Sequence, residues 1–448
     1  MSASFVGRTL ARAGLDEQVL STLLFRGWST IAGALTVVLM PLWLSPTEQG
    51  YYYTFGSVLA LQIFFELGLN QIVMQLASHE VAHLEMAADG SFTGAAAQLG
   101  RLSSLAKLLR FWYLTAAVLF FVVGGSAGAV FFATRGTMPM QAWLGVWSLL
   151  VGSAALNLWF SPSLALLEGL GRLGNVARLR LKQSLLGYAC LWLLLACGAG
   201  LWSVISIPAC SALCTGLWLQ ANGQGLRWLN ARVPDLLHRL AWRVDVLPLQ
   251  WRIAVSWISG FFIFNLFTPL VFSHQGAVEA GRIGMALNIF TAASAIGMSW
   301  VNAKAPMFTM YVSRGERASL NAIFRHVALR STLFTALVCT CIVVGAIVMT
   351  WLGVPLMKRL APPPVLAVLA LVTIVNSMVF AAATYMRAHR EEPMLATSVV
   401  TGILTGLAAW YGARLGLLPM MSLYLAVSLF VSVPWTAALF VRYYRRTC

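Results

Sequence analysis

Charge is what this sequence has least of. Of its 448 residues, 10% are Asp, Glu, Lys or Arg and 59% are hydrophobic. A soluble domain carries about 25% charged residues, so a soluble globular enzyme is excluded. The same apolar richness excludes a disordered chain. Lysine is nearly missing: Lys107, Lys182, Lys304 and Lys358 are all there is, and arginine supplies the remaining positive charge. Reaction signatures are missing as well. There is no Walker A loop, so ATP drive within the chain is excluded, and no HExxH, GxSxG or CxxC pattern occurs. No Asp lies in the first apolar block, where a cation-driven drug exporter would hold one. Cysteine is sparse. Cys190, Cys197, Cys210, Cys214, Cys339 and Cys341 lie inside apolar blocks and Cys448 ends the chain. Cys210 and Cys214 share a helix face, but no His or carboxylate joins them as a metal site requires. They read as small packing residues, and no metal or cofactor is expected. Residues 1–17 are polar and the first apolar block is too long for a signal peptide.

What is present is apolar sequence in blocks of the length a bilayer requires, about 20 residues each. Mean hydropathy is +0.79. Twelve blocks can be drawn, at roughly 20–44, 52–77, 108–132, 141–167, 183–201, 204–222, 253–272, 283–312, 331–352, 363–386, 393–411 and 418–441. Each is expected to be an α-helix, because lipid offers no partner to unpaired backbone groups. The fold class is therefore an all-α polytopic membrane protein of about twelve transmembrane helices. The formal net charge is +16. Such an excess can signal nucleic acid, but here the basic residues sit in short linkers, where they set topology and meet anionic lipid. A nucleic-acid partner is not expected. Only Arg135, Arg282, Lys358, Arg359 and Arg414 fall on one side of the blocks, and Arg26 and Lys304 lie within them. The other 23 of the 30 basic residues fall on the side that carries the termini. The positive-inside rule then places both termini in the cytoplasm.

The outer linkers are too short to hold an enzyme domain. The longest polar linkers are 78–107 and 223–252, both on the cytoplasmic side. In the second, Leu236, Leu240, Val244 and Leu247 share a helical face, with Arg232, Arg239 and Arg243 elsewhere on it. That pattern predicts a basic amphipathic helix on the inner leaflet. The linker divides the chain into a six-helix lobe over 1–222 and a second over 253–448. The two halves resemble each other. Pro41-Leu42-Trp43-Leu44-Ser45, followed by Gln49-Gly50, is answered by Pro269-Leu270-Val271-Phe272-Ser273, followed by Gln275-Gly276. Upstream, Arg26, Trp28 and Gly33 are answered by Arg252, Trp257 and Gly260. Six helices separate the copies, so the repeats run parallel, as in transporters that rock two lobes about a central cavity.

Ionisable groups inside a lipid-spanning helix cost about 2.5–3.5 kcal/mol or more, which marks them as functional candidates. Arg26 and Arg252, at matched places in the two halves, would put positive charge at the inner mouth of a cavity; the plain alternative is snorkelling to the interface. Gln62, Glu66 and Asn70 are spaced by four and predict one polar stripe on the second helix, lining a cavity or tying helices together. Lys304 lies in the eighth block with Asn288, Ser299 and Asn302, and Pro306 is expected to distort the helix beside it. Asn265 and Asn376 read as interhelical hydrogen-bonding residues. Glu168 and the Arg390-Glu391-Glu392 run read as helix-end residues. Gly124/Gly128, Gly402/Gly406 and Gly412/Gly416 read as packing pairs, and Trp43, Trp112, Trp202, Trp251 and Trp351 as interfacial anchors.

The stretches FRGWSTIAGALTVVLMPLWLSPTEQGYYYTFGS and LQIFFELGLNQIVMQLASHE resemble bacterial polysaccharide-export flippases of the Wzx type, in the multidrug/oligosaccharidyl-lipid/polysaccharide (MOP) superfamily. LEGLGR at 167–172, LQWRIAVSWISGFFIF at 249–264 and YMRAHREEP at 385–393 are similar to the same group. The resemblance implies two six-helix lobes around a V-shaped cavity. It implies export of undecaprenyl-diphosphate-linked oligosaccharide from the cytoplasmic to the periplasmic leaflet of the bacterial inner membrane, by alternating access. It also implies drive from an ion gradient, and a polysaccharide polymerase and chain-length regulator as partners. An anionic cargo suits arginine forks, so Arg26, Arg252 and Lys304 are the expected head-group contacts, with Glu66 balancing charge or coupling protons. A multidrug exporter of the same superfamily and an integral-membrane polymerase or acyltransferase of envelope glycans are the rival readings. Buried Arg and Lys oppose a cationic cargo, and no His/carboxylate pair recurs to support an enzyme.

Overall fold

The computed structural model describes residues 17–82, 84–86, 92–231, 240, 242, 246–389 and 393–446. In chain order the helices are α1 (Glu17–Trp43), α2 (Pro46–Leu59), α3 (Ile63–Glu66) and α4 (Leu69–Val81), then a hairpin of β1 (Leu84–Met86) and β2 (Phe92–Gly94). There follow α5 (Ala96–Leu119), α6 (Gly125–Arg135), α7 (Met140–Gly169), α8 (Leu173–Ala196), α9 (Ser206–Asn222) and α10 (Gln224–Ala231). The remainder holds α11 (Leu247–Phe264), α12 (Phe267–Gln275), α13 (Ala277–Arg314), α14 (Arg317–Trp351), α15 (Pro363–Arg387), α16 (Leu395–Leu415), α17 (Leu417–Val427) and α18 (Val433–Arg446). Among the described residues nine helical stretches are long and apolar enough to cross a membrane, or ten if the bent 46–81 pair is one span. Of the other two expected blocks, α1 contributes a shorter apolar stretch, Gly27–Trp43, and α8 carries Arg178, Arg180 and Lys182 in its first half.

Several elements depart from the sequence reading. The second block is not one helix. After α2 it tightens into a 3-10 turn over Ala60–Gln62, and after α3 it unwinds at Leu67 and Gly68, both left-handed at φ 52° and 66°. Leu67 is the only non-glycine residue with positive φ among those described, a conformation that costs an L-residue about 1–2 kcal/mol. The seventh block is also interrupted, between Phe264 and Phe267. Pro306, by contrast, does not end α13, which stays helical for 38 residues. The third membrane helix starts at Ala96 rather than near 108, because Leu99, Leu102, Leu105 and Leu109 are all buried and extend its inward face. The 78–107 linker contains an unforeseen antiparallel hairpin, with Glu85 opposite Thr93. Five-residue π-helical turns interrupt the helices at Phe120–Gly124 and Ser428–Ser432. The expected amphipathic helix rests on Arg232, Leu236, Arg239, Arg243 and Val244, which lie outside the described residues; the helix seen in that linker is α10, with Leu226 and Leu229 buried. Arg390, Glu391, Glu392 and Cys448 lie outside them too.

The chain forms two compact units. One comprises residues 1–36, 61–134 and 138–254, the other 37–60, 135–137 and 255–448. In the first, α7 packs against α4, α5 and α9. Its core centres on aromatic rings: Phe132 meets Trp143 and Trp147, and the Trp147 indole donates to Gly125 O at 2.9 Å. A Cβ on Gly128 would stand 2.1 Å from the Trp147 ring, so that glycine is set by packing. In the second unit α13 packs against α2, α14 and α15. A Cβ on Gly50 would lie 1.9 Å from Ala277 O, which brings the two backbones into direct contact. Gln49, 1% exposed, donates to Gly281 O and Arg359 O at 3.1 Å each, and Arg359 donates to Leu44 O at 2.9 Å. Elsewhere in that unit Phe324, Tyr385 and Phe440 form an aromatic cluster, and Tyr385 donates to Asn321 Oδ1 at 2.7 Å. The five tryptophans expected as interfacial anchors are all exposed.

Candidate functional site

The candidate site lies in the first unit, where the backbone is least regular. Gly68 can hold a left-handed conformation at no steric cost, and its placement beside Leu67 ends α3 and starts α4. Non-helical backbone at membrane depth is tolerated where protein or a cavity surrounds it. The kink also decides how Glu66 and Asn70 meet. Their spacing predicts one face of a regular helix, shared with Gln62. Instead Gln62 sits on the 3-10 turn, Glu66 ends α3 and Asn70 lies in the first turn of α4. Asn70 Nδ2 nonetheless donates to Glu66 Oε1 at 2.6 Å, across the unwound turn. Tyr113, on α5, donates its hydroxyl to Asn70 Oδ1 at 2.9 Å. A carboxylate, an amide and a phenol thus form a chain spanning three helical segments. In a low-dielectric interior such a network strengthens its own bonds and holds its members in place.

Beside this network is a cavity of about 170 Å³, lined by Asn70, Gln71, Met74, Ser161, Glu168 and Arg180 among others. Arg180 Nη2 lies 2.7 Å from Glu168 Oε1, with the carboxylate side chain 12% exposed. The pair gives the cavity wall both signs of charge. The space is large enough to admit water. Its wall offers an acceptor on Glu168, a cation on Arg180 and the Asn70 amide, which on its other side donates to Glu66. No cluster of His, Cys, Asp and Glu that could hold a metal is found among the described residues.

The other expected residues lie on α1, α11 and α13. Arg252 is exposed on α11 and stacks on its neighbour Trp251 at 5.6 Å. Lys304 and Asn302 are exposed on α13, and Asn288 donates to the Gly284 carbonyl of its own helix at 2.9 Å. The side chain of Arg26 lies outside the described residues; its backbone belongs to α1. Asn376 hydrogen-bonds Tyr424 at 2.9 Å, in keeping with an interhelical role. Sequence reasoning missed Tyr113 and Ser161, which carry no local signal. It also placed Glu168 and Arg180 separately, one as a helix-end residue and one as a topology charge. The available signal was that Glu168 is the only acid in α7 and Arg180 lies in a helix whose second half is apolar.

No protein-family model matches the chain, and no characterised protein matches it by sequence. Solved structures do match in shape. The chain is similar to a multidrug resistance MATE family transporter of the MOP superfamily in an inward-facing conformation, with TM-score 0.68, 11% identity, and 95% and 96% of the two chains covered. It is similar to the lipid II flippase MurJ in an inward closed conformation, with TM-score 0.65, 11% identity and coverage of 93% and 86%. It is also similar to the MATE multidrug transporter DinF-BH, with TM-score 0.63, 12% identity and 94% coverage of each chain. With about one residue in nine identical, the likeness is one of fold: the chain has the all-α polytopic architecture shared by these transporters.

Proposed function

We propose that this protein is a flippase that moves an undecaprenyl-diphosphate-linked oligosaccharide across the bacterial inner membrane by alternating access, with both termini in the cytoplasm. The observation that carries the transporter reading is the unwound turn at Leu67–Gly68 with the Glu66–Asn70–Tyr113 chain across it. A packed structural bundle has no need of an acid beside a broken membrane helix. A transporter does, since such breaks hold ions and polar groups at membrane depth. The anionic cargo is supported by the charge excess, +16, by the exposed Arg252 and Lys304, and by the resemblance of residues 25–80 to polysaccharide exporters. Arg26, Arg252 and Lys304 take the diphosphate and Glu66 couples the cycle to an ion gradient. A polymerase and a chain-length regulator are the downstream partners.

A second reading, export of a small cationic molecule, is favoured by one feature. Glu66 and Glu168 supply acids near a cavity, and MATE transporters share the fold. Deleting the gene and analysing the lipid fraction separates the two. Under the flippase reading a complete lipid-linked repeat unit accumulates facing the cytoplasm and the surface polymer disappears, and Glu66→Ala fails to restore it at normal protein level. A normal lipid profile with hypersensitivity to cationic dyes would instead establish the small-molecule reading.

A further inference from the structure

The first unit has a second cavity, of about 190 Å³, walled by α5, α7, α9 and α10 and separate in its lining from the one beside Asn70. Three of these belong to stretches able to cross a membrane. The fourth, α10, is short and two-sided: Leu226 and Leu229 are buried while Gln224 and Arg227 are exposed. A two-sided helix directly after a membrane span lies where lipid head groups lie.

Three features of the lining describe its ligand. Arg110, on α5, is exposed and has no hydrogen-bond or ion-pair partner among the described residues. Asn230, at the end of α10, has a buried Oδ1 with no hydrogen-bond donor among the described residues. Leaving such an acceptor dry is unfavourable, so an occupant with a hydroxyl improves the site. Trp159 and Phe160 stack with ring centroids 5.2 Å apart and planes at 25°, and with Leu219 and Leu226 they supply an apolar wall. The ligand therefore has an anionic oxygen group for an arginine fork, a hydroxyl donor beside it, and hydrocarbon beyond.

We propose that this cavity holds the head group of an anionic phospholipid bearing a head-group hydroxyl, of the phosphatidylglycerol kind, with its phosphate on Arg110 and the hydroxyl donating to Asn230 Oδ1. A choline head group offers no donor to Asn230 and sets a second cation beside Arg110. Free phosphate fits the arginine but leaves the apolar wall bare. The site is independent of which cargo the protein moves.

The test uses the full chain purified in neutral detergent, followed by thermal unfolding with added phosphatidylglycerol, phosphatidylcholine or inorganic phosphate. Phosphatidylglycerol is expected to raise the unfolding temperature with a saturable midpoint, and the other two are expected to have little effect. Arg110→Gln is expected to weaken the midpoint at least tenfold and Arg110→Lys less. Asn230→Leu is expected to reduce the preference over phosphatidylcholine. Arg227→Gln, on the exposed face of α10, is expected to leave the response intact. Native mass spectrometry should show one more retained phosphatidylglycerol on wild type than on Arg110→Gln. An unchanged response in Arg110→Gln, an equal loss in Arg227→Gln, an equal effect of phosphatidylcholine, or reproduction of the shift by inorganic phosphate would each overturn the proposal.

Discussion

The second block of each half of the sequence forms a different kind of helix. Residues 46–81 pass through α2, a 3-10 turn, α3, a left-handed pair and α4, with a bend of 45°. Residues 277–314 form the single helix α13, which continues through Pro306. Both carry polar side chains within apolar helical sequence, and they satisfy them differently. On α13 the Asn288 amide donates to its own helix at Gly284 O. In the broken block Asn70 turns to Glu66 and receives Tyr113 from another helix. A proline removes one backbone bond, and neighbouring structure can absorb that. Two successive left-handed residues end one helix, start the next and bend the chain by 45°. The comparison teaches that polar residues become a site where the backbone has stopped serving them.

The sharpest way to break the comparison is at the contact between the two blocks. Gly50→Ala would place a methyl 1.9 Å from Ala277 O, and overpacking of this kind costs about 1–3 kcal/mol or more. A lowered unfolding temperature and reduced membrane yield are the expected result. Glu66→Ala is expected to cut transport at least tenfold with protein level unchanged, and Glu66→Gln to retain the fold while failing to support ion coupling. Complementation of the deletion strain measures both. If Glu66→Gln transports normally, the acid has only a packing role. Gly68→Ala forces a side chain onto φ 66° at about 1 kcal/mol; a modest loss of stability and a larger loss of transport are expected. The smallest effect should come from α13. Asn302→Ala, on an exposed surface, is expected to leave stability within about 0.5 kcal/mol. A transport loss as large as that of Glu66→Ala would show that the continuous helix bears the site as well, and would end the distinction drawn above.

Block length and composition reveal most of the membrane helices, because a bilayer demands long apolar runs. Their ends are less legible. α5 and α14 begin roughly three to four turns before their apolar blocks, at Ala96 and Arg317, since a helix with one buried face still looks polar by composition. The break at Leu67–Gly68 was hidden inside Phe64-Phe65-Glu66-Leu67, which reads as continuous membrane helix, and a lone glycine is a weak signal. Glu66 and Asn70 were legible from spacing, though the spacing argument assumed a regular helix and the contact arises across a broken one. Tyr113 and the Glu168–Arg180 pair depend on which helices become neighbours, and no local pattern carries that information.

The Gln49 cluster bears on how the protein is made. Gln49 finds its partners 232 and 310 positions later in the chain, at Gly281 and Arg359. At synthesis rates of about 5–20 residues per second, that wait is roughly 10 to 60 seconds. Throughout it, residues 44–50 are already translated while the groups that satisfy Gln49 and cover Gly50 do not yet exist. The insertion machinery or the surrounding lipid must shelter them during that interval. Two separately expressed halves, divided within 223–252, would therefore need each other before the first could settle.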